Sequence, residues 1–343
     1  MMGFTILKID LNFCISILLG IVKILKFKRV FYLTFYKMAD TPKITVIGGS
    51  NIDLIGLSKE KLIFKDSNTG SVETILGGVG RNIAENLKRL EIDVEFLSVF
   101  ADDEFSKTLI NSCNDLNISI EHSLIKENSK TSLYIAIMNH FKDLALGLAA
   151  MNIYDKIPDS FILDKLDIIG QNEYCLLETN LPISILELVT EKLPNTRFAL
   201  EAVSAKKALK AKSILDKLYI LKCNSLEAEL LSNIKVEHEI DHEKIVEHFL
   251  NLGVKKVFIT LGADGVAYGD ENEIFIEKNN IISPVNTNGA GDAFMAGIIY
   301  GELKKLELYD MVKFASACAQ ITIQHKNAVH PEICEQMVLN SMM

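Results

Sequence analysis

"NTNGAGDAFMAGIIYG", Asn286 to Gly301, puts two glycines, an alanine and an aspartate where an apolar helix begins. Ala293, Phe294, Ala296, Gly297 and Ile298 recur at helical spacing, so Gly289, Ala290, Gly291 and Asp292 fall in the preceding loop and first turn. A loop with almost no side chains leaves its backbone N–H groups open to a ligand, and a helix N-terminus favours negative charge. The alternative is a loop whose glycines serve only its backbone angles, with Asp292 as a helix cap.

Working outward, "KITVIGGSNID" (Lys43 to Asp53) reads as a buried strand entering a glycine turn that delivers Asn51 and Asp53. Short strands are expected within 54–76, then a helix in "GGVGRNIAENLKRLEI" (Gly77 to Ile92), a strand from Asp93 and a helix from Phe105. Further strands are expected at 131–140, 144–149, "YCLLE" (174–178), "RFALEAV" (197–203), "LYILKCN" (218–224) and "KKVFITLG" (255–262). Helices are expected at 183–192, 205–216, 225–232 and 241–252. Alternating strands and helices imply an α/β fold, a mostly parallel sheet covered on both sides, with ligands beyond the carboxyl ends of the strands. Asn51, Asp53, Glu201, Ser204, Asn224, Thr260, Gly262 and the Gly289–Asp292 run all fall at such ends.

Residues 1–37 hold six basic residues and one acidic residue, a charge of +5 within a chain of −9, so the rest carries −14. An acidic body argues against gripping nucleic-acid backbones and favours a small-molecule ligand. The apolar run Leu11–Val22 is shorter than the roughly 20 residues a membrane span needs, so no membrane partner is expected for the body. Residues 1–40 read as a dispensable extension or a targeting segment, and 41–340 as one domain. Six cysteines without a Cys-x-x-Cys pair fit free thiols in the cytoplasm. There is no Walker loop and no dinucleotide fingerprint. His238-Glu239-Ile240-Asp241-His242 matches a zinc pattern, but in so polar a stretch it reads as a chance match on a solvated surface, with Asp241 as a helix cap.

Three pieces resemble the ribokinase-like, or PfkB-type, carbohydrate kinases. They are Gly77-Gly78 entering a helix, Asn224-x-x-Glu227, and Asn286-Thr287-Asn288-Gly289-Ala290-Gly291-Asp292, where that family usually writes D-T-x-G-A-G-D. Within the family, "GGVGRNIAENL", "EAVSAKK" (Glu201 to Lys207), "AMN" (Ala150 to Asn152) and the asparagine at Asn286 resemble pseudouridine kinases. The chain departs from their pattern at Ala150, Glu201, Ala202 and Cys223.

The resemblance implies a three-layer α/β/α domain with a small β-strand lid drawn from 54–76 and 131–149. It implies transfer of the γ-phosphoryl of ATP to the 5′-hydroxyl of pseudouridine. Another sugar or nucleoside (ribose, a hexose, adenosine) and a catalytically weak nucleoside-binding relative stand as alternatives. Asp292 would be the base and Gly289, Ala290 and Gly291 the anion-binding amides. Asn51, Asp53, Gly77, Gly78, Asn82, Asn152 and Lys206 would meet the substrate. Asn224, Thr260, Gly262, Gly265 and Thr287 would meet ATP, and Glu227 would organise Mg²⁺. A monovalent cation near Asn286 and a homodimer formed through the lid are further implications.

Overall fold

A computed structural model describes residues 43–155, 157–279 and 282–342; the N-terminal extension expected above lies outside them. The strands are β1 (Lys43–Ile47), β2 (Asn51–Ser58), β3 (Gly70–Gly77), β4 (Asp93–Leu97), β5 (Val99–Ala101), β6 (Leu124–Lys126) and β7 (Leu133–Met138). They continue with β8 (Leu144–Ala150), β9 (Tyr174–Glu178), β10 (Arg197–Glu201), β11 (Leu218–Asn224), β12 (Lys256–Thr260), β13 (Val266–Gly269) and β14 (Ile274–Glu277). The α-helices are α1 (Val79–Arg89), α2 (Glu104–Asp115), α3 (Asp159–Leu163), α4 (Leu166–Gly170), α5 (Ile183–Lys192) and α6 (Ala205–Ala208), then α7 (Ser225–Ser232), α8 (Asp241–Asn251), α9 (Ala290–Leu303), α10 (Leu308–Ile323) and α11 (Glu335–Ser341).

The main sheet runs β14-β13-β12-β11-β10-β9-β1-β4. From β4 to β12 the pairing is parallel, and β12-β13-β14 is antiparallel. Parallel strands need crossovers, and the crossover helices cover both faces. Side chains alternate accordingly. Val46, Phe96, Leu176 and Phe258 share one core with Leu87 of α1, Phe294 of α9 and Phe314 of α10. Ile47, Leu97, Leu177 and Ile259 share the other with Leu186 of α5, Leu231 of α7 and Phe249 of α8. Strand order reverses at β1, which has β4 on one side and β9 on the other, so the carboxyl end of β1 opens into the crevice where such sheets bind ligands.

Helix α9 is buried at every residue from Asp292 to Glu302, as its apolar composition on all sides requires. A second sheet, β3-β2-β7-β8, stands apart from the main one. Its strand β8, "LALGLAA", is exposed along its whole length.

One difference from the sequence reading has a physical cause. The helix expected at 205–216 is only the single turn α6, followed by 3₁₀ turns at Leu209–Ser213 and Leu215–Lys217. The buried residues Ala208, Ala211 and Ile214 recur every three positions, the repeat of a 3₁₀ rather than an α-helix. The antiparallel hairpin β13–β14 and helix α10 had no counterpart in the sequence reading.

Candidate active site

The turn after β1 is held from two sides. Gly49 N donates to Glu178 Oε1 (2.5 Å) and Asn180 N donates to Glu178 Oε2 (2.7 Å). Glu178 ends β9 and is fully buried; burial pushes its carboxyl up, and the two amides hold it down. The Tyr154 hydroxyl accepts from Ser50 N and donates to Ser50 O, both at 2.7 Å. These contacts fix where β2 starts, and hence Asn51, whose Nδ2 donates to Asp53 Oδ1 (2.5 Å). A methyl group on Gly77 would lie 2.8 Å from Asp53 Oδ2 and 2.9 Å from Asn51 Nδ2. Gly78 has φ of 100°, and a side chain there would strike the Gly49–Ser50 backbone. Only glycine fits this approach.

Asp292 lies across from this pair. Gly289 precedes α9 with φ of 80°, and a methyl group added there would strike the Ala328 carbonyl oxygen. Asp292 is buried, and its Oδ2 accepts from Asn82 Nδ2 at 2.7 Å. The dipole and amides at a helix start favour an ionised carboxylate, yet burial raises the Asp292 carboxyl above its ordinary range. Loss of water outweighs the help of Asn82, Lys222 and Arg81, and nearby Asp53 adds to the rise. Asn82, expected on the substrate, also donates an amide hydrogen to Asp292.

Lys222 was missed. It lies within β11, 4% exposed, with Nζ 3.0 Å from Glu201 at the end of β10. A methyl group on Gly291 would lie 2.7 Å from the same Nζ, so a buried cation sits beside the small-residue loop. Burial pushes Glu201 up to about 8, Lys222 restrains the rise, and Asp292 and Glu227 add to it. Burial alone would lower Lys222, but the carboxylates of Glu201, Glu227 and Asp292 outweigh it. The signal was present in "LYILKCN": a lysine inside a parallel strand is buried on either face. Beyond Glu201 the backbone turns sharply at Val203, where φ is 64° and Ser204 N donates to Ala202 O (2.7 Å). Such a conformation is strained for a β-branched residue.

Thr260, Gly262, Gly265, Thr287, Ala290 and Gly291 line a cavity of about 330 Å³ on the other side of the α9 N-terminus. Its walls are otherwise mostly apolar, including Val266, Pro284 and Phe294. Asn224 and Glu227 form a capping box: Glu227 N donates to Asn224 Oδ1 (2.9 Å), and Asn224 N donates to Glu227 Oε2 (2.8 Å). Glu227 Oε1 also accepts from Asn224 Nδ2, so the carboxylate expected to organise Mg²⁺ is engaged by its neighbour.

Asn152 and Lys206 are exposed and join none of these groups. The neighbouring Lys207 instead bonds Asn180. Asn286 Nδ2 donates to the Lys326 carbonyl (2.8 Å), and its Oδ1 accepts from Asn288 N (3.0 Å). The zinc-like pair is not on a solvated surface throughout: His242 is buried, with Nε2 2.8 Å from Ser225 Oγ. Asp241 does not cap α8 either; it is the first residue of that helix and accepts from Glu237 N and His238 N. Among the described residues no cluster of three or more metal-ligating side chains occurs, and no helix is long and apolar enough to cross a membrane.

The pfkB family carbohydrate kinase model matches residues 41–333. The pseudouridine kinase of Escherichia coli is 28% identical over 301 residues, covering 86% of this chain and 95% of that protein. The ribokinase of Haemophilus influenzae is 24% identical, over 83% and 93% of the two chains. A candidate sugar kinase from Clostridium perfringens superposes with a TM-score of 0.80 at 33% identity, covering 89% of this chain and 96% of that one. Arabidopsis thaliana ribokinase, solved with ribose and ATP, superposes equally well (0.80) at 21% identity, covering 88% and 99%, a likeness of fold. With a main sheet closed by helices, a glycine loop opening a buried helix and a match across nearly all the described residues, the chain belongs to the PfkB family of carbohydrate kinases, with the ribokinase-like fold.

Proposed function

We propose that the protein transfers the γ-phosphoryl group of ATP to the 5′-hydroxyl of pseudouridine, giving pseudouridine 5′-phosphate and ADP. One observation carries the reading: Asp292 is a buried carboxylate of raised basicity between two differently built recesses. On one side Asn51 and Asp53 offer polar groups suited to ribose hydroxyls. On the other, the cavity of Thr260, Gly262, Gly265 and Thr287 has the size and apolar walls of a nucleotide pocket. The hydroxyl oxygen attacks the γ-phosphorus, the bond to the ADP oxygen breaks, and Asp292 takes the hydroxyl proton. Amides of Gly289, Ala290 and Gly291, with Lys222 beside them, stabilise the charge on the transferred group. Asn224 and Glu227 would help to hold a hydrated Mg²⁺, which would supply charge neutralisation. The choice of pseudouridine is supported by likeness to the Escherichia coli enzyme.

The second sheet is the lid in this reading. Directly paired residues share a face, and Val72–Gly56–Ile137–Leu146 form such a row beside Leu148. Val72, Leu146 and Leu148 are 72%, 62% and 59% exposed, an apolar face suited to a second copy of the chain. Free buried cysteines suit a reducing, cytoplasmic setting.

A panel of ribose, hexoses, adenosine, uridine and pseudouridine with Mg-ATP tests the substrate. ADP release is expected to be fastest with pseudouridine, and ribose preferred over it would overturn the choice.

A further inference from the structure

Arg81 has no part in the reaction above, yet it is only 2% exposed. Its guanidinium makes four hydrogen bonds with its five N–H donors: Nε donates to Gly77 O (3.0 Å), one terminal nitrogen to Glu85 Oε2 (2.5 Å), and the other to Leu76 O (2.9 Å) and to Asn82 Oδ1. The last contact matters most. Because Arg81 takes the oxygen end of the Asn82 amide, the nitrogen end must point the other way, and there it donates to Asp292 Oδ2 at 2.7 Å. Arginine can only donate and the carboxylate here accepts, so the amide has one orientation that satisfies both.

The guanidinium is itself braced. Glu85 Oε1 accepts from two nitrogens of Arg89 (2.9 and 2.7 Å), and Arg89 donates to the Pro331 carbonyl. The charge reaches both acids of the pocket, since Arg81 favours the ionised forms of Asp53 and Asp292. The other charged groups around Asp292 are Lys222 of β11 and Asp53 of β2, with Glu201 of β10 and Glu227 of α7 around Lys222. Around Arg81 stand Glu85, Arg89, Asp53 and the Cys113 thiol of α2.

We propose that Arg81 is a positioning residue for phosphoryl transfer: it orients the Asn82 amide onto Asp292 and sets the charge that the base feels, while Glu85 and Arg89 brace it. The proposal rests on the reading of Asp292 as the base. A purely structural arginine would only tie down the Leu76 and Gly77 carbonyls. The two roles separate in the pH dependence of kcat, measured at saturating Mg-ATP with the acceptor that the panel selects.

Arg81→Gln removes a positive charge, so the acidic limb should move to higher pH by about one pH unit. Glu85→Gln removes a negative charge from the same network, so the limb should move to lower pH. Arg81→Lys keeps the charge without the fork; its limb should stay near the wild-type position while kcat falls. Opposite displacement in the Gln variants supports the proposal, and limbs that stay put or move together overturn it. If Arg81→Gln does not fold, Glu85→Gln decides alone: a downward displacement supports and an unmoved limb overturns. Asp292→Asn separates the two ideas. Near-wild-type turnover in it defeats the base assignment and the relay with it, whereas an inactive Asp292→Asn with unmoved limbs in the others defeats the relay alone.

Discussion

"YCLLE" of β9 and "LALGLAA" of β8 are both apolar strands, yet the first is buried at every residue and the second exposed at every residue. Composition does not separate them; the number of layers does. Strand β9 lies in a sheet covered on both faces, and its carboxyl end carries Glu178, a fully buried carboxylate fixed by two backbone amides. Strand β8 is the edge of a sheet with nothing over it among the described residues. A doubly covered sheet can hold charges in definite places because water is absent and every polar group must find a partner. A singly layered sheet can move and can be covered by something else.

If chemistry belongs to the covered sheet, its largest single dependence is on Asp292. Asp292→Asn should bind nucleotide and nucleoside but lose at least about a hundredfold in kcat. Asparagine caps about as well as aspartate, so near-wild-type turnover would reduce the group to a cap. Lys222→Met should lower both turnover and stability, the stability loss growing as pH rises through about 8, where the buried Glu201 would ionise without its partner. Adding Glu201→Gln should restore much of the stability, seen in denaturant melts, but not the turnover. Recovery of both would make the pair structural only.

The exposed sheet should respond differently. Leu146→Asp with Leu148→Asp should leave the melting temperature nearly unchanged, shift sedimentation from dimer to monomer and raise KM for the acceptor several-fold. A wild-type that sediments as a monomer breaks this half of the comparison. A smaller effect concerns protons. Glu201 has its carboxyl raised from 4.5 to about 8 in the folded protein, so the folded state holds the proton more tightly than the unfolded chain. Its contribution is fully present below about pH 4.5 and lost as pH rises through about 8. Wild-type stability should therefore decline across that window, and Glu201→Gln should flatten the decline. The smallest effect is expected far from both recesses: His238→Ala with His242→Ala should leave turnover unchanged while costing about 1 kcal/mol through the lost Ser225 contact. Loss of activity there, reversed by zinc, would reopen the metal pattern.

Much of this architecture was legible in the sequence because its signals are local. The glycine turn after Lys43–Ile47 and the Gly289–Asp292 run announce themselves through residue type and spacing. Asn51, Asp53, Gly77 and Gly78 were found together for the same reason. What stayed hidden depends on distant neighbours. Lys222 matters through Glu201 on the next strand and Gly291 in another motif, and Tyr154 through Ser50, a hundred residues earlier in the chain. Asn152 and Lys206 stand exposed, and at the α6 turn a one-residue change of phase decides between a part-buried neighbour and solvent. Here Lys207, not Lys206, turns inward to Asn180.

The Ala328 carbonyl against Gly289, and Pro331 receiving Arg89, have a consequence in time. Residues 328–331 form the back wall of a loop made some forty positions earlier, and they brace a helix made more than two hundred positions before that. A chain emerging from the ribosome therefore carries β1, α1 and α9 well before it carries the segment that closes them. Local helices can form during synthesis, but such long-range closure waits for its last member. Until then the Gly289 loop lacks its back wall, and a chain ended before residue 328 should lose phosphoryl-transfer activity, which an assay of that truncation checks.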